Sequence, residues 1–305
     1  MAAAESEAIS ILEQCLVRYN ANLTGNCVYF CRRLLMKFMP KLSNFFAAHI
    51  IETDSISEIS KRWYPSHFLN APPKENNAFN EIAQYKEELK HYKTKIFRER
   101  NVPLARPIEH SFVLDKDKQM VWMDYKVDKN NEYIMEIALV VTDRMLNYDY
   151  TSRMKILIRL EEEFRLLEIN ESTAKAYLGI INVVNGKCGQ KVDNSRIESE
   201  RAVAVDAKEA ELKIMEFLKS HEVPKGEVPL AGNNIYMERL FLMKYMPNVH
   251  QYLSPHLIDV ESIKKLSQLW RPGTRPYTRP NTTSAREEVI HSIRELRHYK
   301  LHAFE

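Results

Sequence analysis

The sequence predicts an α/β protein, a mixed sheet flanked by helices, preceded by a mostly helical half-repeat. Three observations carry this. Apolar runs at 120–123 and 133–141 and an alternating run at 155–160 have the patterns of buried and half-buried strands. Helical periodicities follow at about 204–220, 234–246, 260–270 and 285–299, with short strands at 228–231 and 256–260 between them. Finally, Leu23-Thr-Gly-Asn26 and Met36-Lys-Phe-Met-Pro40 return without a gap as Leu230-Ala-Gly-Asn233 and Met243-Lys-Tyr-Met-Pro247.

The same offset of 207 positions pairs Trp63 with Trp270, Pro65 with Pro272, Glu81 with Glu288, and Glu88-Leu-Lys-His-Tyr-Lys93 with Glu295-Leu-Arg-His-Tyr-Lys300. A constant register over this span marks a repeated structural unit. The second copy is preceded by about a hundred additional residues that the first lacks. The chain therefore divides into a helical half-copy, residues 1–104, and a whole domain, residues 105–305.

Taken in order, Ile9, Ile11, Leu12, Cys15 and Leu16 place an apolar stripe on a helix over 6–19. A second helix is expected from a cap near Asn26 to about Phe38, where Pro40 stops it. A third covers 55–63, the loop 71–77 is stiffened by Pro72 and Pro73, and a long charged helix runs over 78–98 with an Ile82, Leu89, Tyr92 face. No sheet is expected in this first segment. A seam falls at 102–107, after which the strands begin. Trp63 and Trp270, Met36 and Met243, and Leu89 and Leu296 are expected to pack in the core.

Composition narrows the function classes. A chain of 305 residues with 45% hydrophobic and 28% charged residues can bury a real core. The net charge of +3 gives no argument for nucleic-acid binding. No apolar run approaches a membrane span, and the acidic N-terminus lacks the arginines of a transit peptide. An intracellular protein is expected, with cytoplasm and mitochondria left open. Cys15, Cys27, Cys31 and Cys188 have no metal-like spacing, so Cys27 and Cys31, one helical turn apart, read as buried thiols without a third ligand.

Several motifs in order resemble the oligoribonuclease family, DEDDh-type 3′-to-5′ exoribonucleases of ribonuclease H-like fold. They are Val121-Trp-Met-Asp124, Ile134-Met-Glu-Ile-Ala138, Val141-Thr-Asp143, Pro229-Leu-Ala-Gly-Asn233, Arg239 to Pro247, Ile258-Asp-Val260 and Glu295-Leu-Arg-His-Tyr299. The half-copy repeats the closing part, including Arg62-Trp-Tyr-Pro65. The resemblance implies a two-metal displacement, with clustered carboxylates holding two divalent cations and a histidine as general base. It also implies a homodimer.

Carried over by residue, the first acid is Asp124, but its partner glutamate is Lys126. The middle Asp falls on Glu238, the last on Glu288, and the histidine on Thr283. Four carboxylates would balance two divalent cations; here three acids and one ammonium leave a charge that suits one Mg²⁺ or Mn²⁺ at most. The simpler expectation is no ion, with Lys126 in the cation's place beside Glu238 or Glu288. Each Asp-to-Glu exchange moves an oxygen by about 1 Å, enough to cost about two orders of magnitude in rate. Thr283 is no base near neutral pH. His291 is expected to face elsewhere. The stretch between Asp124 and Glu136 is also about three residues shorter than in the family, by the resemblance. In the half-copy the corresponding positions are Cys31, Asn76 and Glu81.

The loop 271–279 spaces Arg271, Arg275 and Arg279 four apart with Tyr277 between them. It reads either as a solvated loop or as a phosphate-tracking strip for RNA. Lys90, Lys93, Lys95, Arg98 and Arg100 read first as a complement to a helix dipole. These losses predict a family member without hydrolytic activity that binds short RNA or a protein partner. The alternative is an active exoribonuclease of short oligoribonucleotides using one ion. The half-copy is expected to pack on the whole domain as an intrachain pseudo-dimer, or to exchange between chains in a homodimer.

Overall fold

A computed structural model describes residues 2–70, 77–97, 118–127, 134–149, 151–158, 205–282 and 284–304. The 104/105 boundary, the 102–107 seam, the shortened loop at 128–133, Asn76, Arg98, Arg100, Cys188 and Thr283 lie outside the described residues.

The opening segment runs α1 (Ala2–Glu13), β1 (Leu23–Gly25), α2 (Val28–Phe38), α3 (Pro40–Phe45), β2 (Ile50–Glu52), α4 (Asp54–Trp63), a 3₁₀ turn and α5 (Ala78–Lys95). The remainder is β3 (Met120–Val127), β4 (Ile134–Thr142), β5 (Arg153–Leu157), α6 (Ala207–Ser220), β6 (Leu230–Gly232), α7 (Tyr236–Tyr245), α8 (Pro247–Tyr252), β7 (Leu257–Asp259), α9 (Val260–Trp270) and α10 (Ala285–His302).

Two expectations for the opening segment are corrected. It has a sheet of its own, because β1 and β2 pair in parallel from Leu23 opposite Ile50 to Gly25 opposite Glu52. Their equivalents at the repeat offset, 230–232 and 257–259, are strands of the same length. Second, Pro40 ends α2 and also opens α3 as its first residue, where a missing N–H costs nothing. Pro247 does the same for α8. The cap of α2, expected at Asn26 or a neighbour, falls on the next residue. Cys27 takes that position with φ 48°, and the Glu52 carboxylate receives the Val28 and Tyr29 amides at 3.1 and 2.7 Å. The first helix also ends at Glu13, leaving Cys15 and Leu16 exposed.

The central sheet has the order β5-β4-β3-β6-β7, with β4 antiparallel to β3 and β5, and β3, β6 and β7 parallel. This is the mixed, ribonuclease H-like sheet the resemblance implied. Alternation along β3 divides its side chains between two cores. Val121 and Met123 join Ile214 and Leu218 of α6 and Phe241 and Leu242 of α7. Met120 and Trp122 join Ile263 of α9 and Val289, Ile293 and Leu296 of α10. Of the expected core pairs, Leu296 is fully buried, while Trp63, Trp270, Met36, Met243 and Leu89 are half-buried.

The elements from β1 to α5 match those from β6 to α10 at the repeat offset, and their mutual contacts are reciprocal. Ser55 Oγ donates to the Leu257 carbonyl at 3.2 Å, and Ser262 Oγ donates to the Ile50 carbonyl at 3.4 Å. The amide of Asp259 donates to Ser55 Oγ at 2.8 Å, and that of Glu52 to Ser262 Oγ at 2.9 Å. Tyr29 Oη donates to the Pro255 carbonyl at 3.4 Å, and Tyr236 Oη to that of Ala48 at 3.3 Å. Trp63 packs edge-on against Phe304 with ring centres 5.7 Å apart, and Trp270 against Phe97 at 4.8 Å. Phe97 and Phe304, themselves equivalent, face each other in an antiparallel bridge with rings 4.6 Å apart. A contact from i to j matched by one from j to i is the signature of a two-fold axis. Here the reciprocal contacts lie within one chain, and Phe97 and Phe304 meet each other.

Candidate active site

Asp124 and Lys126 lie two residues apart on β3, so both face α10. Glu136 of β4 is opposite Lys126 in the register. Its carboxylate does not meet that lysine. One oxygen accepts from Ser284 Oγ at 2.9 Å and from the Arg286 amide at 3.4 Å, and the other lies 3.0 Å from Lys155 Nζ. Glu136 thus caps the start of α10 with Ser284.

Lys126 reaches across to α10, where its Nζ lies 3.1 Å from Glu288 Oε1. Arg279 holds the other oxygen of Glu288 at 2.8 Å, and the Thr282 hydroxyl donates to the first. Arg279 also bonds Glu295 at 2.8 Å and Ser292 Oγ at 3.1 Å. Two cations therefore share Glu288. Burial works against ionisation of Glu288, but Lys126, Thr282 and Arg279 outweigh it and hold its pKa below the ordinary value.

Asp124 and Glu238 form the other half of the cleft. Burial pushes Asp124 up to about 7, with Lys126 opposing and Glu288 adding to the rise. Glu238, at the start of α7, is buried, and burial followed by the charge of Asp124 raises it well above the glutamate range. Its Oε2 has no hydrogen-bond partner among the described residues. That orphaned oxygen is a ligand atom without a matching set. Among the described residues, the one group of three acid, thiol or imidazole ligand atoms within 4.8 Å of one another is elsewhere, at Cys27, Asp54 and His256. Asp124, Glu238 and Glu288 do not fit a two-metal centre, because Lys126 and Arg279 already neutralise Glu288 and the three acids do not bring ligand atoms within 4.8 Å of one another.

The loop 271–279 is corrected as an arginine strip. Arg279 is turned inward to the two glutamates, and Arg271 Nη2 donates to the Phe97 carbonyl at 2.6 Å. Arg275 alone of the three is exposed. Tyr277 Oη lies 3.2 Å from His291 Nδ1, so that ring is also engaged. His291 is buried one helical turn past Glu288 and bonds this tyrosine; it does face away from Asp124 toward the loop. Thr283 falls outside the described residues.

The sequence reading also missed two features. Cys31 is exposed and Cys27 half-buried, contrary to the expectation of buried thiols. Cys27 has the acid and histidine neighbours that spacing alone could not supply, Asp54 and His256. The equivalence of His49 and His256 at the repeat offset was the available signal.

Curated relatives match the chain over most of their own length. An oligoribonuclease of Haemophilus influenzae is 33% identical over 193 residues, covering 61% of this chain and 96% of the relative. The chain belongs to the oligoribonuclease family. A probable oligoribonuclease of Dictyostelium discoideum is 31% identical over 200 residues, covering 64% of this chain and 95% of the relative. No protein-family model matches the chain. Among solved structures, a moderately thermophilic exonuclease I from Methylocaldum szegediense overlaps 60% of this chain and 40% of its own, with a TM-score of 0.38 and 15% identity. That overlap is too loose to bear on the chemistry.

Proposed function

We propose that this protein is an oligoribonuclease relative that no longer hydrolyses RNA and keeps the family cleft for binding a short RNA. The observation that carries the reading is the Lys126 ammonium 3.1 Å from Glu288 Oε1, where the resemblance places a divalent cation. An ammonium balances one carboxylate but cannot activate a water or stabilise a leaving oxygen as a Lewis acid does. Arg279 on the same glutamate reinforces the substitution. Short RNA is the ligand of choice because the family acts on oligoribonucleotides, and the exposed Arg275 and the cleft acids leave its affinity modest.

A second reading, a working enzyme with one ion, is favoured by a single feature, the unpartnered Oε2 of buried Glu238 beside Asp124. A time course on a labelled pentaribonucleotide in Mg²⁺ or Mn²⁺ separates the two. The protein is expected to leave the RNA intact while shifting it in a binding assay. Trimming that stops in Asp124→Ala would establish the single-ion enzyme instead. Neither trimming nor binding would move the ligand to a protein partner.

A further inference from the structure

Outside the cleft, three donors of different chemistry converge where the half-copy meets the whole domain. Cys27 stands at the start of α2, Asp54 at the start of α4 and His256 just before β7. Asp54 Oδ2 accepts from Cys27 Sγ at 3.2 Å and from the Cys27 amide at 3.3 Å, and it lies 3.0 Å from His256 Nδ1. The sulfur, the carboxylate oxygen and the imidazole nitrogen all lie within 4.8 Å of one another. We propose that Cys27, Asp54 and His256 form a zinc site that ties the half-copy to the whole domain.

The distances fit. Zinc–sulfur bonds of about 2.3 Å and zinc–nitrogen or –oxygen bonds of about 2.0–2.2 Å give tetrahedral edges of roughly 3.3–3.6 Å. The two measured edges, 3.2 and 3.0 Å, are a few tenths shorter, so a slight opening of the three side chains admits the ion. The donor set is equally selective. A thiolate, an imidazole and one carboxylate suit zinc, whereas Mg²⁺ and Mn²⁺ favour oxygen ligands. Thiolate and carboxylate together cancel the charge of the dication, and three protein ligands leave a fourth position for water. Asp54 is buried, while the His256 side chain is 47% exposed, which leaves the ion a way in.

A nucleophilic thiol is the rival reading, and the geometry opposes it. Thiol and imidazole both point at the same carboxylate oxygen, so the histidine is not placed to take the thiol proton. Burial, followed by the charge of Asp54, also holds the Cys27 thiol far above its ordinary pKa. A cation in the site would reverse that preference.

The local two-fold supplies a built-in comparison. Across the axis, Asn234 stands for Cys27, His49 for His256 and Glu261 for Asp54. There His49 Nδ1 lies 2.8 Å from Asn234 Oδ1, and Glu261 is held by Lys264 at 3.0 Å. One side of the axis is a plain hydrogen bond and the other a convergent ligand set. The site is independent of whether the cleft hydrolyses RNA.

The test uses the full chain with Cys15, Cys31 and Cys188 changed to serine. Titration with Co²⁺ is expected to produce a thiolate-to-cobalt charge-transfer band in the near ultraviolet, saturating at one ion per chain and bleached by Zn²⁺. Zn²⁺, unlike Mg²⁺, should raise the melting temperature. Losing a direct ligand should weaken binding by at least the roughly 10–100-fold that outer-shell losses cause, in both Cys27→Ser and His256→Ala. His256→Ala removes a half-exposed side chain and decides the matter even if Cys27→Ser fails to fold. Absence of the band, its persistence in Cys27→Ser, or unchanged affinity in His256→Ala would each overturn the site.

Discussion

Residues 23–95, the half-copy, and 230–302 share one set of elements, but among the described residues only the second set is preceded by the strands β3, β4 and β5. Equivalent positions show what the sheet does. Phe241 on α7 is 3% exposed beneath it, while its counterpart Leu34 on α2 is 46% exposed. Val289 on α10 is 1% exposed and its counterpart Ile82 on α5 is 62% exposed. The faces that meet across the local two-fold behave in the opposite way, since the serine, tyrosine and tryptophan contacts are repeated on both sides. The contacts of the first set are therefore made with the second set of the same chain.

Substitutions at paired positions test this contrast. Phe241→Ala should cost about 3–5 kcal/mol in urea unfolding, as an aromatic side chain is lost from a packed core, whereas Leu34→Ala should stay within about 0.5 kcal/mol. Equal costs would mean that Leu34 is covered after all. A smaller effect is expected at the equivalent glycines. A Cβ on Gly232 would meet the Met123 carbonyl of β3 at 2.9 Å and Ile235 Cδ1 at 2.7 Å, while one on Gly25 would find nothing nearer than Val28 at 3.8 Å. Gly232→Ala should cost about 1–3 kcal/mol by overpacking. Gly25→Ala should be neutral or gain up to about 1 kcal/mol through the unfolded chain. Comparable losses at both would remove the distinction.

A pH-dependent effect is expected at Asp124, which has no acidic counterpart in the half-copy. Its folded pKa of about 7 lies above the unfolded value of about 3.9. The folded state therefore holds this proton more tightly, and its contribution to stability falls as pH rises from about 4 to about 7. Asp124→Asn should melt above the native protein beyond pH 7, with the difference shrinking toward pH 4. The slope should lessen without vanishing, because burial raises Glu238 and Glu52 in the same direction. A variant less stable than the native protein at pH 8 would mean that Asp124 is ionised and paired.

The sheet and the long helices were legible because their apolar periods extend over many residues. The strands β1 and β2 were not, although the repeat register pairs them with β6 and β7, nor were α3 and α8, single short helices begun by the prolines that also end the preceding ones. In the cleft, the two-residue spacing of Asp124 and Lys126 was enough to place both toward α10. The role of Arg279 was hidden, since an arginine in a proline-rich loop looks solvated until the fold brings Glu288 and Glu295 beside it. His256 was hidden for a related reason: its partners lie about two hundred positions away, and only the repeat register connects them.

Sedimentation velocity on the full chain tests most directly the claim that the half-copy fills a partner's place. If the reciprocal contacts around Phe97 and Phe304 take the place of those a second copy would make, a monomer of 35.8 kDa is the predicted species. A stable dimer at micromolar concentration would contradict it, because the two-fold surface would then have to be free to receive another chain.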